Sequence, residues 1–162
     1  MNPPKPDPKA PGQESVWEYP RPPRVELTGR HIRIVKDGLL IADSSRAYRV
    51  LETSHPPVYY LPREDIHMEH LAASSRPASF CEWKGSASYF HVLGAKDVAW
   101  TYPYPSAGFE VIRNHLAFYA APMDEVTVDG ERVTPQPGGF YGGWVTKDLA
   151  GPFKGVPGSM GW

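Results

Sequence analysis

The sequence predicts an all-β fold, mainly antiparallel, built as a small roll, barrel or two-sheet sandwich with one or two short helices. Three observations carry that reading. The β-favouring runs are short and many, and they alternate or cluster aromatic and branched residues. Turn chemistry punctuates them, twice as Asp-Gly between apolar runs, the strongest short-range hairpin signal. The 162 residues are 41% hydrophobic and 12% aromatic, enough for one domain with a sizeable core.

The elements follow in chain order. Residues 1–24 hold eight of the nineteen prolines. Proline removes a backbone donor, so this segment is expected as an extended arm outside any central sheet, with Trp17 and Tyr19 docking on the body. Residues 25–134 read as the β-rich domain. Within it, His31–Val35, the Lys36-Asp37-Gly38 turn and Leu39–Ala42 form a first hairpin. Ala47–Glu52 and Val58–Leu61 are the next strands. Pro62 then opens one or two helical turns, since proline followed by acids is a helix-start signal. Asp97–Tyr102 is a strand stopped by Pro103, Ser106–Asn114 is ambiguous and could hold a short helix, and Leu116–Tyr119 is a strand. Glu125–Val128, Asp129-Gly130 and Glu131–Val133 repeat the first hairpin's turn chemistry. Residues 135–162 form a Gly/aromatic tail with eight of the fifteen glycines. Its Phe140, Tyr141, Trp144, Phe153 and Trp162 are expected to pack on the body, because a solvated tail lacks such rings.

The organising stretch is Ser79–Val92, which holds the chain's one cysteine. As a single strand it would put Cys81, Trp83, Ala87, Tyr89 and His91 on one face. The preferred reading is a hairpin or bulge at Lys84-Gly85, which lets Trp83 and Tyr89 converge on one space.

Bulk properties exclude several functions. A formal net charge of -1 argues against a nucleic-acid binder, which needs a basic face. One cysteine permits no internal disulfide, and a reducing, cytoplasmic location is the simplest expectation. No leader is visible in the proline-rich start, and no apolar window reaches the ~20 residues of a membrane span. No cofactor is expected, and a homo-oligomer is left open.

Several pieces then occur in a fixed order: Tyr59–Ile66 (Tyr-Tyr-Leu-Pro-Arg-Glu-Asp-Ile), Cys81–Tyr89 (Cys-Glu-Trp-Lys-Gly-Ser-Ala-Ser-Tyr), Asp97–Tyr102, Leu116–Tyr119 and Val128–Glu131. Together they resemble the domain of unknown function 427 family of bacteria and fungi, over residues 30–134. The tail, with Gly142-Gly143-Trp144-Val145-Thr146, is similar to an extension found in one branch of it. The resemblance implies a small β-rich fold and a shared pocket, with no established activity. A nucleotidyltransferase label sometimes attached to the family has no basis in these residues: there is no Gly-rich loop ending in Lys-Ser/Thr, and no paired carboxylates beside one to hold magnesium.

Each candidate for chemistry has a structural alternative. Cys81 is a nucleophile if a cation stabilises its thiolate, with Lys84 and His91 the local cations; otherwise it is a buried, inert thiol. Glu82 and Lys84 share a strand face and could bind an anion or move a proton, with Tyr89 assisting; the alternative is an ion pair. Arg63 and Asp65, just past a strand end, could clamp a carboxylate or phosphate, or serve helix-start electrostatics. Tyr60, Trp83, Tyr89, Trp100, Tyr102 and Tyr119 either line a ligand cavity or fill a core. His67 and His70 are read as surface residues; their spacing is not that of a metal motif, and no metal site is expected. The leading expectation is an unidentified small polar or anionic molecule in an aromatic-lined pocket with Lys84 and Arg63 supplying positive charge. An enzyme using Lys84 or Cys81 in that pocket, and a structural protein binding partners through arm and tail, are the rivals.

Overall fold

The computed structural model describes residues 3–162 and is all-β, with four short 3-10 turns and no longer helix among the described residues. None of its helices is long and apolar enough to cross a membrane.

The two Asp-Gly dipeptides act as the sequence requires. Asp37 and Gly38 both take positive φ (51° and 75°), as do Asp129 and Gly130 (50° and 80°). Positive φ at both central residues matches the turn's twist to that of the strands it joins. These turns close Ile32–Lys36 onto Leu39–Ser44 and Glu125–Val128 onto Glu131–Arg132, and the two hairpins pair through Ile32–Lys36 and Glu125–Val128 into one antiparallel sheet. A second sheet runs Arg24–Leu27, Tyr48–Leu51, Val58–Tyr60. A bridge from Leu61 to Leu116 carries it on into Leu116–Phe118, Ala95–Thr101 and Gly85–Val92. Leu71–Ala73 and Ser79–Cys81 share the far edge of Gly85–Val92.

Alternation along this long sheet divides the interior. One side chain set, with Tyr59, Leu61, Ala99, Leu116 and Phe118, meets Ile32, Ile34, Ile41, Val126 and Val128 of the first sheet in the main core. The opposite set, with Tyr60, Ala87, Tyr89, Trp100, Tyr102 and Ala117, forms a second cluster capped by Phe109 and Ile112. Pro62 opens the short turn Arg63–Asp65, followed by Met68–His70, and the ambiguous stretch after Ser106 forms the turn Glu110–Ile112.

The two terminal segments meet each other. Glu14–Ser15 pairs in parallel with Leu149–Ala150. Trp17 donates from Nε1 to the Pro152 carbonyl at 2.9 Å, and its ring lies 5.6 Å from that of Trp162. Beneath them the Arg49 side chain, 4% exposed, binds Glu14 through both terminal nitrogens at 3.1 Å and Glu26 from Nε at 2.8 Å. A buried guanidinium needs such partners, because removing it from water unpaired is costly. In the tail, Trp144 is buried and stacks on Tyr59 at 5.1 Å. Phe140 departs from the expected packing and is 74% exposed. Gly138 and Gly155 cross backbone against backbone: a Cβ on Gly138 would strike the Gly155 carbonyl, and one on Gly155 would strike that of Pro137.

Candidate functional site

The central stretch folds as a hairpin. Ser79–Cys81 pairs with Gly85–Val92 around a turn of Glu82, Trp83 and Lys84. Gly85 takes φ +102°, and Ser106 donates its amide to the Lys84 carbonyl at 3.0 Å, which pins the turn to the following loop. Cys81, Ala87 and Tyr89 therefore point into the second cluster, beside Trp83 and Tyr119.

That cluster is packed ring on ring. Tyr60, 1% exposed, accepts a hydrogen bond from Trp100 Nε1 at 3.3 Å, and burial pushes its phenol well above the ordinary value. Tyr102 lies 6.2 Å from the Tyr60 ring and its phenol is raised for the same reason. Trp100 and Tyr119 are 4.8 Å apart. Tyr89 shares a hydrogen bond with Ser79 Oγ, and the Arg76 guanidinium sits 4.0 Å over its ring. The half-buried Lys84 holds its ammonium 5.8 Å from the Tyr102 ring centre. Lys84 has no carboxylate partner among the described residues, so the ion pair with Glu82 that stood as the structural alternative is not formed; Glu82 is exposed in the turn.

Arg63 and Asp65 lie elsewhere. Arg63 donates from Nε to the Asn114 carbonyl at 3.0 Å and lies over Phe90, which faces away from Tyr89. Asp65 accepts two hydrogen bonds from Arg46 at 2.9 Å and one from Ser44 at 2.7 Å, and the Arg46 bond leads the lowering of its pKa. Both side chains secure the turn after Tyr60 to its neighbours. His67 is exposed and pairs with Glu69, and no metal-binding group of three His, Cys, Asp or Glu occurs among the described residues.

Open space lies beside the cluster. A cleft of about 220 Å³ is walled by Tyr119–Pro122 on one side and by Pro135, Gln136, Gly139 and Tyr141–Gly143 on the other. Of the aromatic set, Tyr119 alone lines it. The tail reaches the cluster through Gly142, where a Cβ would collide with the Trp100 indole. Tyr119 donates its hydroxyl to the Phe140 carbonyl at 2.9 Å. A second cleft of about 240 Å³, with Asp124, Glu125 and Arg132, shares Ala120, Ala121 and Pro135 with the first.

Behind the first cleft stands a polar joint that no sequence motif announces. Gln136 Oε1 accepts from the Gly143 amide at 3.0 Å; its Nε2 donates to the Lys154 carbonyl at 2.9 Å and meets His55 Nδ1 at 3.1 Å. His55, 8% exposed, packs 4.7 Å from the Tyr141 ring. Burial, then the charges of Lys154, Arg21 and Lys84, push its pKa down to about 3. Sequence reasoning missed His55 and Gln136, because they are distant in the chain and sit in Pro- and Gly-rich contexts that read as loop; it placed Tyr141 only as a tail ring packing on the body.

The conserved pattern of one family, described as Domain of unknown function (DUF427), matches residues 24–129. The chain belongs to the DUF427 family. The match covers the first sheet hairpin, the long sheet and the aromatic cluster, and it ends at the second Asp-Gly turn. No curated protein matches the chain. The cleft is thus composite: Tyr119–Pro122 come from the DUF427 domain, and the opposite wall comes from the tail beyond it.

Proposed function

We propose that this DUF427 protein binds a small polar or anionic ligand in the composite cleft, one wall of which is the domain's Tyr119–Pro122 edge at the rim of the aromatic cluster. The observation that carries the reading is the cleft itself: a concave, mainly apolar space between Tyr119 and Tyr141, built from two parts of the chain. Small-molecule sites are typically of this kind, apolar with a few polar groups. At about 220 Å³ it is smaller than the roughly 300 Å³ of a minimal drug-sized site, which limits the occupant to a single ring or a short acid. Positive charge supports an anionic group: Lys154 lies 5.5 Å from the Tyr141 ring, and the field of Lys84, Lys154 and Arg21 reaches His55 behind that wall. In this reading Lys84 contributes at a distance, and Arg63, turned to the other face, does not. A cytoplasmic location belongs to the same proposal, supported by the lone, half-buried thiol.

A thermal-shift screen of organic acids, sugars, nucleobases and nucleotides tests it. A ligand at a hundredfold its Kd stabilises by about 2.7 kcal/mol, which raises Tm by several degrees. The shift should vanish in Tyr141→Ala and weaken in Lys154→Met. A screen with no hit, or a hit indifferent to Tyr141, overturns the proposal.

An enzymatic reading rests on one observation, that Cys81 and the Lys84 turn enter the same aromatic cluster. Iodoacetamide labelling at neutral pH decides it. Cys81 is expected to react no faster than a free thiol, and a faster rate would make it the reactive centre.

A further inference from the structure

We propose that His55 and Gln136 form a proton-sensitive latch that holds the tail's wall of the cleft in place and lets it go when His55 is protonated on Nδ1. The proposal goes beyond ligand binding and stands whether or not the cleft is occupied.

The hydrogen bonds define the state of both groups. The Gly143 N–H can only donate, so the Gln136 atom facing it is the carbonyl oxygen Oε1. The Lys154 carbonyl can only accept, so the atom facing it is the amide nitrogen. That nitrogen's second hydrogen points at His55 Nδ1, 3.1 Å away, and Nδ1 must therefore be the bare, accepting nitrogen. His55 is neutral, with its proton on Nε2, which faces Glu52 at 3.6 Å.

A proton on Nδ1 sets two donors against each other. Either the His55–Gln136 bond breaks, or the Gln136 amide turns over. Turning it over puts N–H against the Gly143 N–H and C=O against the Lys154 C=O, so the two bonds that hold the tail's own segments together around Gln136 are lost. There is no arrangement of the three partners that keeps all of them with a charged imidazole. A Cβ on Gly143 would lie 2.5 Å from the Pro56 carbonyl and 2.7 Å from Gln136 Oε1, so this segment is seated tightly enough for the latch to position it. Gln136, Gly142 and Gly143 all line the cleft, and Tyr141, its outer ring, packs on His55.

Cations on three elements oppose the charge. Lys154 faces His55 from the tail, Arg21 from the proline-rich segment and Lys84 from the hairpin turn. Among the described residues Glu52 is the carboxylate that pairs with it, and Arg21 Nε also engages Glu52 at 3.4 Å. Together with burial these hold the imidazole neutral to about pH 3 with the tail seated. With the tail released, an ordinary histidine takes its proton near 6.5. The ratio of released to seated tail therefore rises about tenfold per pH unit as pH falls from 6.5 towards 3.

Side-chain NMR of the six histidines between pH 7 and 4, recorded with amide hydrogen exchange, tests the latch in the unaltered protein. At pH 7 His55 is expected as the Nε2–H tautomer. As pH falls, the Gly143 amide should lose protection at least tenfold relative to Leu116, whose amide bonds Leu61 inside the sheet. An Nδ1–H tautomer overturns the proposal, as does a His55 that takes up its proton near 6.5, the ordinary histidine value, while Gly143 stays protected. Gln136→Glu places a carboxylate against Nδ1 and should move proton uptake by His55 to higher pH, keeping Gly143 protected in acid. Gln136→Met, matched in volume but without hydrogen bonds, should lower Gly143 protection at pH 7 and abolish its pH dependence. If either variant keeps the wild-type profile, the latch is refuted.

Discussion

Tyr59 and Tyr60 are neighbours in one strand, yet they inhabit different interiors. Tyr59 stacks on Trp144 in the core between the two sheets, and its hydroxyl accepts from Arg30 at 3.3 Å. Tyr60 faces the other way, into side chains that carry hydroxyl, indole and thiol groups, where no second sheet among the described residues covers it. The cover there is a 3-10 turn with Phe109 and Ile112 and a glycine contact from the tail. A sheet face sealed by another sheet becomes solid core. A face sealed by turns and loops leaves room at its rim, and the Tyr119 cleft sits at such a rim.

The sharpest test of this contrast is to remove one indole from each face. Trp144→Ala should cost about 4 kcal/mol in urea unfolding, the usual loss for a buried tryptophan. Trp100→Ala should cost clearly less, because the loops above it can settle. Equal losses would break the distinction between the faces.

Acid should separate the faces next. The neutral His55 contributes stability fully above its unfolded pKa near 6.5, and this is lost as pH falls towards about 3. By pH 4 the loss is about 3 kcal/mol at 1.36 kcal/mol per unit. His55→Asn should remove that portion of the difference in unfolding free energy between pH 7 and pH 4, while Trp144→Ala leaves it intact.

A smaller effect is expected from Gly142→Ala, which forces the tail off Trp100 at a cost of about 1–3 kcal/mol. Tryptophan emission should shift to longer wavelength as that indole meets water, and an unshifted spectrum would show that the glycine contact is not what covers it. Smallest is Tyr60→Phe. It leaves the buried Trp100 N–H without its acceptor and should cost about 1 kcal/mol. A neutral result would make Tyr60 an ordinary core ring, like those across the sheet.

What could be read from the sequence follows from how local each signal is. The Asp-Gly hairpins were legible because the turn chemistry and both strands lie within a few residues. The hairpin at Leu93-Gly94 was not, since Leu93 adopts φ 51°, a conformation that leucine does not advertise. Rings on predicted strands group Tyr60, Trp83, Tyr89, Trp100, Tyr102 and Tyr119, and all six meet in the second cluster, but that pattern carries no information about whether rings enclose space or fill it. Charge groups Arg63 with Lys84 and position groups Asp65 with Arg63, but the turn they occupy sends them to Asn114 and Arg46. The His55–Gln136 joint forms only after the tail has come back to the body, so nothing in either residue's own neighbourhood could reveal it.

The backbone crossing of Gly138 and Gly155 has a genealogical consequence. Neither position tolerates any other residue while its counterpart keeps its place, so a descendant that loses one loses the reason for the other. In a DUF427 relative the two should be inherited together or discarded together, and a chain retaining the pair can be recognised as one that still folds its tail back over the aromatic rim.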